Sequence, residues 1–200
     1  TALGFWVGRR SRPDLSHANQ LNMDVFVPAL VFAAMVSKDF RLTEYLPLAG
    51  AAAFMMVGSG VVGWLAAKAL GMQPKTLVPP MMFNNCGNLG LPLAVLAFGE
   101  TALAPAVVMF LVSNLLHFSF GAWLLDHRTR LLTLWRSPVI LATLAGLAVG
   151  LAGVTVWPPL LMSVKMVGDI SMPLMLFALG ARLADSKITA VGVGLLGAAL

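Results

Sequence analysis

Apolar runs of bilayer-spanning length recur along this chain, and they leave it little choice of architecture. A helix needs about 20 mostly apolar residues to cross hydrocarbon. Six runs are of that order: Leu21–Ser37, Tyr45–Ala67, Thr76–Phe98, Ala102–Leu125, Pro138–Trp157 and Pro159–Leu183. Shorter apolar pieces, Thr1–Gly8 and Ile188–Leu200, stand at either end. Hydrophobic residues make up 59% of the chain and charged ones 10%, whereas a soluble domain carries about 25% charge. Such a chain cannot cover a water-facing surface, so it reads as an all-α, polytopic membrane protein embedded in a lipid bilayer. The end pieces read as parts of spans 1 and 8, cut inside a span, with the six long runs as spans 2 to 7. Span 1 is not a secretory leader, because its basic residues follow the apolar run instead of preceding it. The single cysteine, Cys86, excludes an internal disulfide framework.

The loops divide sharply by charge. Arg9, Arg10, Arg12, Lys68, Lys75, Arg128, Arg130, Arg136, Arg182 and Lys187 fall on the side reached after span 1, against Lys38 and Arg41 on the other; Lys165 lies within span 7. Positive loops stay in the cytoplasm, so the ten-residue side is cytoplasmic. The net charge of +5 is therefore a topology signal, and no nucleic-acid partner is expected.

One stretch breaks the pattern. FNNCGNLGLPLA, residues 83–94, sets Asn84, Asn85 and Asn88 among Gly87, Gly90 and Pro92 inside span 4. Gly87 and Gly90 weaken a helix, and Pro92 removes a donor and frees a carbonyl near Asn88. A broken membrane helix is tolerable only inside protein or beside a water-filled cavity. The amides can bond the freed groups or a ligand, and the restarted half-helix offers an anion its positive end. The competing reading makes the Asn side chains interhelical glue. The clustering of three amides with two glycines and a proline favours a substrate site, with Asn85, Asn84, Asn88, Cys86 and Gly87 as binding residues and Gly90 and Pro92 as the helix break.

DVFVPALVF (residues 24–32) and DISMPLMLF (residues 169–177) align Asp24 with Asp169, Pro28 with Pro173 and Phe32 with Phe177, at a constant offset. They occupy spans 2 and 7, which run in opposite directions, the mark of an inverted-topology repeat. Such repeats usually build secondary transporters whose sites lie near the midplane.

Three stretches, LNMDVFVPALVF, FNNCGNLGLPL and GDISMPLMLFALGARL, together resemble the auxin efflux carrier family, the PIN-like transporters that include bacterial malonate and malate permeases. The family's span 4 motif is matched by Asn85, Cys86 and Gly90-Leu91-Pro92-Leu93, and its span 7 pattern by Pro173 to Gly180. The resemblance implies ten spans in two inverted five-helix repeats, related to bile-acid and sodium–proton carriers. Spans 4 and 9 would cross at their breaks, beside a scaffold of spans 1, 2, 6 and 7. It further implies organic-anion substrates, contacted by Asn85 through their carboxylate. On this layout residues 1–125 form the first repeat, 126–137 a short cytoplasmic loop and 138–200 the start of the second, about eight spans in all. The expected location is a bacterial inner membrane. Which anion moves, the coupling ion (H⁺ or Na⁺) and a homodimeric assembly stay open, and no cofactor or metal motif is present.

Asp24 and Asp169 are functional candidates because membrane carboxylates are expensive. Their expected placement a few residues into their spans, with Lys165 at i and i+4 from Asp169, argues for a structural role. His117 is expected to be buried and bonded to Ser113 or a carbonyl, with a proton relay as the alternative. The chain does not read as an enzyme. Two aspartates and a Pro28-Ala29-Leu30 triplet share elements with intramembrane aspartyl proteases, but Met166 stands where that motif needs glycine, and the triplet precedes both acids. A sodium-coupled carboxylate or bile-acid-type symporter is the nearest alternative carrier, and a channel the more distant one.

Overall fold

The computed structural model describes residues 1–36, 42–117, 119 and 137–185. Helices dominate them, and no strand occurs among them. Span 8, residues 126–136 of the short loop, and Lys38, Arg41, Arg128, Arg130, Arg136 and Lys187 lie outside the described residues.

The helices are α1 (Ala2–Ser11), α2 (Ser16–Val36), α3 (Leu42–Ala69), α4 (Pro74–Met82), α5 (Leu91–Phe98), α6 (Leu103–Leu116), α7 (Pro138–Leu151), α8 (Pro158–Asp169) and α9 (Ser171–Asp185). Four continuous or nearly continuous stretches are long and apolar enough to cross a membrane: Ser16–Val36, Thr43–Ala69, Pro74–Phe98 and Pro158–Ala184. Glu100–Leu116 and Pro138–Leu151 are shorter apolar helices.

Local chemistry sets the ends. Proline opens α4, α7 and α8, where its missing N–H is no loss. Before α2, the Ser16 side chain and backbone hydrogen-bond the Asp14 carboxylate and hold it below the usual carboxylate range. Helix α3 stops at a left-handed Gly71 (φ 66°), with the Met72 N–H on the Ala67 carbonyl at 2.8 Å and the Gly71 N–H on Lys68 at 3.3 Å. Helix α7 stops the same way at Gly153 (φ 63°), where the Val154 N–H reaches the Val149 carbonyl at 3.2 Å. This paired closure satisfies carbonyls that the helix end would orphan. It also explains why α7 ends at Leu151, short of the expected Trp157.

The core is built around α2. Val27, Leu30, Val31, Ala34 and Met35 meet Leu91 of α5, Val107, Val108 and Phe110 of α6, Val139 of α7 and Met175 of α9. Helix α1 packs along α9, α7 and α8 along α2, and α3 against α4 and α6. Three of these contacts are close approaches at glycine. A β-carbon at Gly4 would overlap the Phe177 carbonyl, one at Gly146 would sit 2.7 Å from Met35 Cβ, and one at Gly168 would sit 2.6 Å from Leu30 N. Without a hydrophobic driving force between lipid-embedded helices, close van der Waals approach at small residues is what joins them. Elsewhere large apolar side chains point outward: Phe54 of α3 is 78% exposed. That face suits hydrocarbon and not water.

This packing yields a direct test. Gly168→Val forces a β-branched side chain into the α2 backbone and should lower stability by at least the ~1–3 kcal/mol of an overpacked core. Gly58→Ala, with open space around it, should match or slightly exceed the parent, as helical alanine is favoured. Thermal unfolding of detergent-purified variants measures both, and equal melting of parent and Gly168→Val would refute the close-packed crossing.

Candidate functional site

Span 4 is broken, as the amide cluster foreshadows, but the break lies upstream of the residues expected to make it. Helix α4 ends at Met82, and Phe83–Asn85 leave helical geometry. Pro79 and Pro80 inside α4 supply no N–H to the carbonyls of Lys75 and Thr76, which weakens this half. At Asn85 (φ −80°, ψ 62°) the chain makes an inverse γ-turn, with the Cys86 N–H donating to the Asn84 carbonyl at 2.9 Å. A wide π-type turn, Cys86–Gly90, follows, and α5 begins. Gly90 lies in this turn and keeps right-handed helical angles, while Pro92 sits in the first turn of α5, where it breaks nothing. Gly87 is required for space: a β-carbon there would fall 2.9 Å from the Phe110 ring.

The amides close the break. Asn85 Oδ1 accepts the Asn88 N–H at 3.2 Å, capping the restarted helix. The Asn85 carbonyl accepts from Leu89 and Gly90 at 3.3 and 3.0 Å. The Cys86 thiol donates to Asn84 Oδ1 at 2.7 Å. With its oxygen on the helix end, the Asn85 side chain still carries two N–H donors.

Opposite stands α6. Phe110, Ser113, Asn114 and His117 recur at i, i+3, i+4 and i+7 and so share one helical face. They join Phe83 to Asn88 and Met23 of α2 around a cavity of about 300 Å³. Its polar lining is three span 4 amides, the Asn114 amide, the Ser113 hydroxyl, the Cys86 thiol and the His117 imidazole. Phe83, Phe110 and Met23 supply apolar walls. Such a space offers neutral donors to a small anion and apolar surface to its body.

All five expected binding residues line this cavity together. His117 departs from expectation. Its residue is exposed where it lines the cavity, not buried, and its ring meets Phe83 edge-to-face at 4.7 Å and 81°. Asp24 is exposed within a π-type turn of α2 and lines a neighbouring cavity of about 520 Å³, which shares Met23, Phe110 and Asn114 with the first. Asp169 lies outside both cavities. It is the last residue of α8, not an early one. There the helix dipole disfavours a carboxylate, and Lys165 offsets it across 3.2 Å. Sequence reasoning missed Phe110 and Asn114 as lining residues; the signal was the stripe they form with Ser113 and His117. It also missed Asn22 and Ser171, buried at irregular points of spans 2 and 7, whose side-chain oxygens have no hydrogen-bond partner among the described residues. No group of three His, Cys, Asp or Glu side chains gathers to hold a metal among the described residues.

Comparisons with protein-family models, curated proteins and solved structures find no match to this chain.

The cap has a measurable consequence. Asn85→Ala should destabilise by about 1 kcal/mol through loss of the helix cap, while Asn85→Asp, which still accepts the Asn88 N–H, should lose little. Chemical unfolding in detergent separates the two, and equal losses would show that the Asn85 oxygen does not hold the turn.

Proposed function

We propose that this protein is a secondary carrier of small organic anions, of the auxin efflux carrier type, working by alternating access. The observation that carries the reading is the interrupted span 4, whose three amides line one cavity. An interrupted helix exposes partial charges that only a protein-lined site can use. The half-helix start at residues 86–88 supplies positive potential, and the Asn85 amide supplies directed donors for a carboxylate.

The helix contacts support an inverted repeat. Helix α1 packs on α9 and α7 on α2, which are the contacts of span 1 with span 7 and of span 6 with span 2. Exchanging the two repeats converts one contact into the other. Small residues mediate both: Gly4 and Gly8 lie against Phe177 and Ala181, and Gly146 and Gly150 against the Phe32–Met35 stretch. Spans 1, 2, 6 and 7 then form the scaffold, and span 4 belongs to the moving part. The cytoplasmic side is the one that carries Arg9, Arg10 and Arg12, in an inner membrane. A sodium-coupled carboxylate symporter is the second reading, favoured by the same broken helix.

In proteoliposomes, full-length protein should take up a labelled carboxylate saturably and with counterflow. Asn85→Asp, which keeps the helix cap but adds a negative charge, should lower uptake at least tenfold with folding preserved. Carboxylates that bind should raise the melting temperature and slow maleimide labelling of Cys86. Undiminished transport by Asn85→Asp, or linear flux without counterflow, would defeat the reading.

A further inference from the structure

The cavity at the span 4 break is built from neutral groups. Asparagine amides, a hydroxyl and a thiol line it, and no lysine or arginine does so among the described residues. An anion entering such a space leaves bulk water without meeting a full positive charge. The half-helix start offers only about half an elementary charge, and an unbalanced ion in a low-dielectric site is costly. One lining side chain, His117, is an imidazole, which becomes a cation when it binds a proton. It sits on the same α6 face as Asn114, and its ring meets Phe83, the first residue of the break.

We propose that His117 is the proton-binding partner of the anion site, so that an organic anion and a proton occupy the cavity together. This rests on reading the cavity as an anion site and adds the coupling ion to it. The imidazole takes the proton, the amides and the half-helix start take the carboxylate, and the two are bound and released together. A monocarboxylate crossing with one proton carries no net charge, so its flux does not answer to membrane voltage. Linkage makes the effect reciprocal: the anion favours the proton by the factor with which the proton favours the anion.

The other titratable groups nearby fit this assignment. From span 4, Cys86 faces the cavity with its S–H donated to Asn84, a neutral arrangement. From span 2, Asp24 lines the adjoining chamber, which shares Met23, Phe110 and Asn114 with the first.

The test uses full-length protein in proteoliposomes with two labelled probes suited to the aromatic walls: benzoate, and benzenesulfonate, which stays anionic throughout. Binding is measured at about pH 5.5 and about pH 7.5, which bracket the ordinary histidine range. The parent should bind both probes about tenfold more tightly at the lower pH, and a pH-indicator dye should report about one proton taken up per anion at the higher pH. His117→Gln should lose most of that difference and the proton uptake. His117→Lys, with a fixed charge, should bind tightly at both pH values. An unchanged pH dependence in His117→Gln, a pH effect confined to benzoate, or no proton uptake by the parent would overturn the proton assignment and leave the anion site standing. No saturable binding of either probe by the parent at either pH would overturn both.

Discussion

A peptide group stranded in hydrocarbon has no water to bond, and that constraint shapes this molecule. Each unsatisfied N–H or carbonyl costs several kcal/mol there, so a helix that stops mid-span must find local partners. Span 4 finds them within a few residues. The γ-turn at Asn85 closes on Asn84, the Asn85 side chain caps Asn88, and the Asn85 carbonyl takes two donors from the following turn. These bonds serve the Cys86, Asn88, Leu89 and Gly90 N–H groups, where span 4 restarts. The three amide residues also line the cavity.

That arrangement is useful only if its surroundings hold still. Helix α9 and the α6 face both contact the turn that restarts span 4. Helix α9 is in turn clamped to α1 by the overlap-limited contact at Gly4, and α2 is pressed by α7 and α8 at Gly146 and Gly168. At Gly4 and Gly168 the neighbour is backbone, which leaves little slack, because no side chain stands between to change rotamer. Close glycine crossings thus stand next to a broken, side-chain-capped helix.

Much of the site was legible from residue types, and the misses share one cause. Asn84, Asn85 and Asn88 announced themselves because amides inside an apolar run are costly without a purpose. Gly90 and Pro92 attracted attention through their intrinsic helix weakness, yet Pro92 sits where a helix tolerates proline, and the break follows Pro79 and Pro80 upstream. Gly87 matters because the Phe110 ring presses on it, and no local propensity encodes a neighbour's position. His117 looked like a buried core histidine from its depth in a span, but exposure depends on what faces it, and a cavity does. Asp169 was expected near a helix start and lies at a helix end, because the kink at Ile170 divides span 7 into two helices.

By itself the sequence determined that the described chain is helical, that several of its helices are long and apolar enough to cross a membrane, and that one of them carries a polar interruption. These are consequences of composition and period along a single strand of chain, where each residue's own transfer energy and backbone preference suffice. Only the tertiary structure decided where the interruption falls, which face of α6 closes the cavity, and which glycines are obligatory. Those depend on distances between segments far apart in sequence, set by close packing among helices that all look equally apolar until they meet.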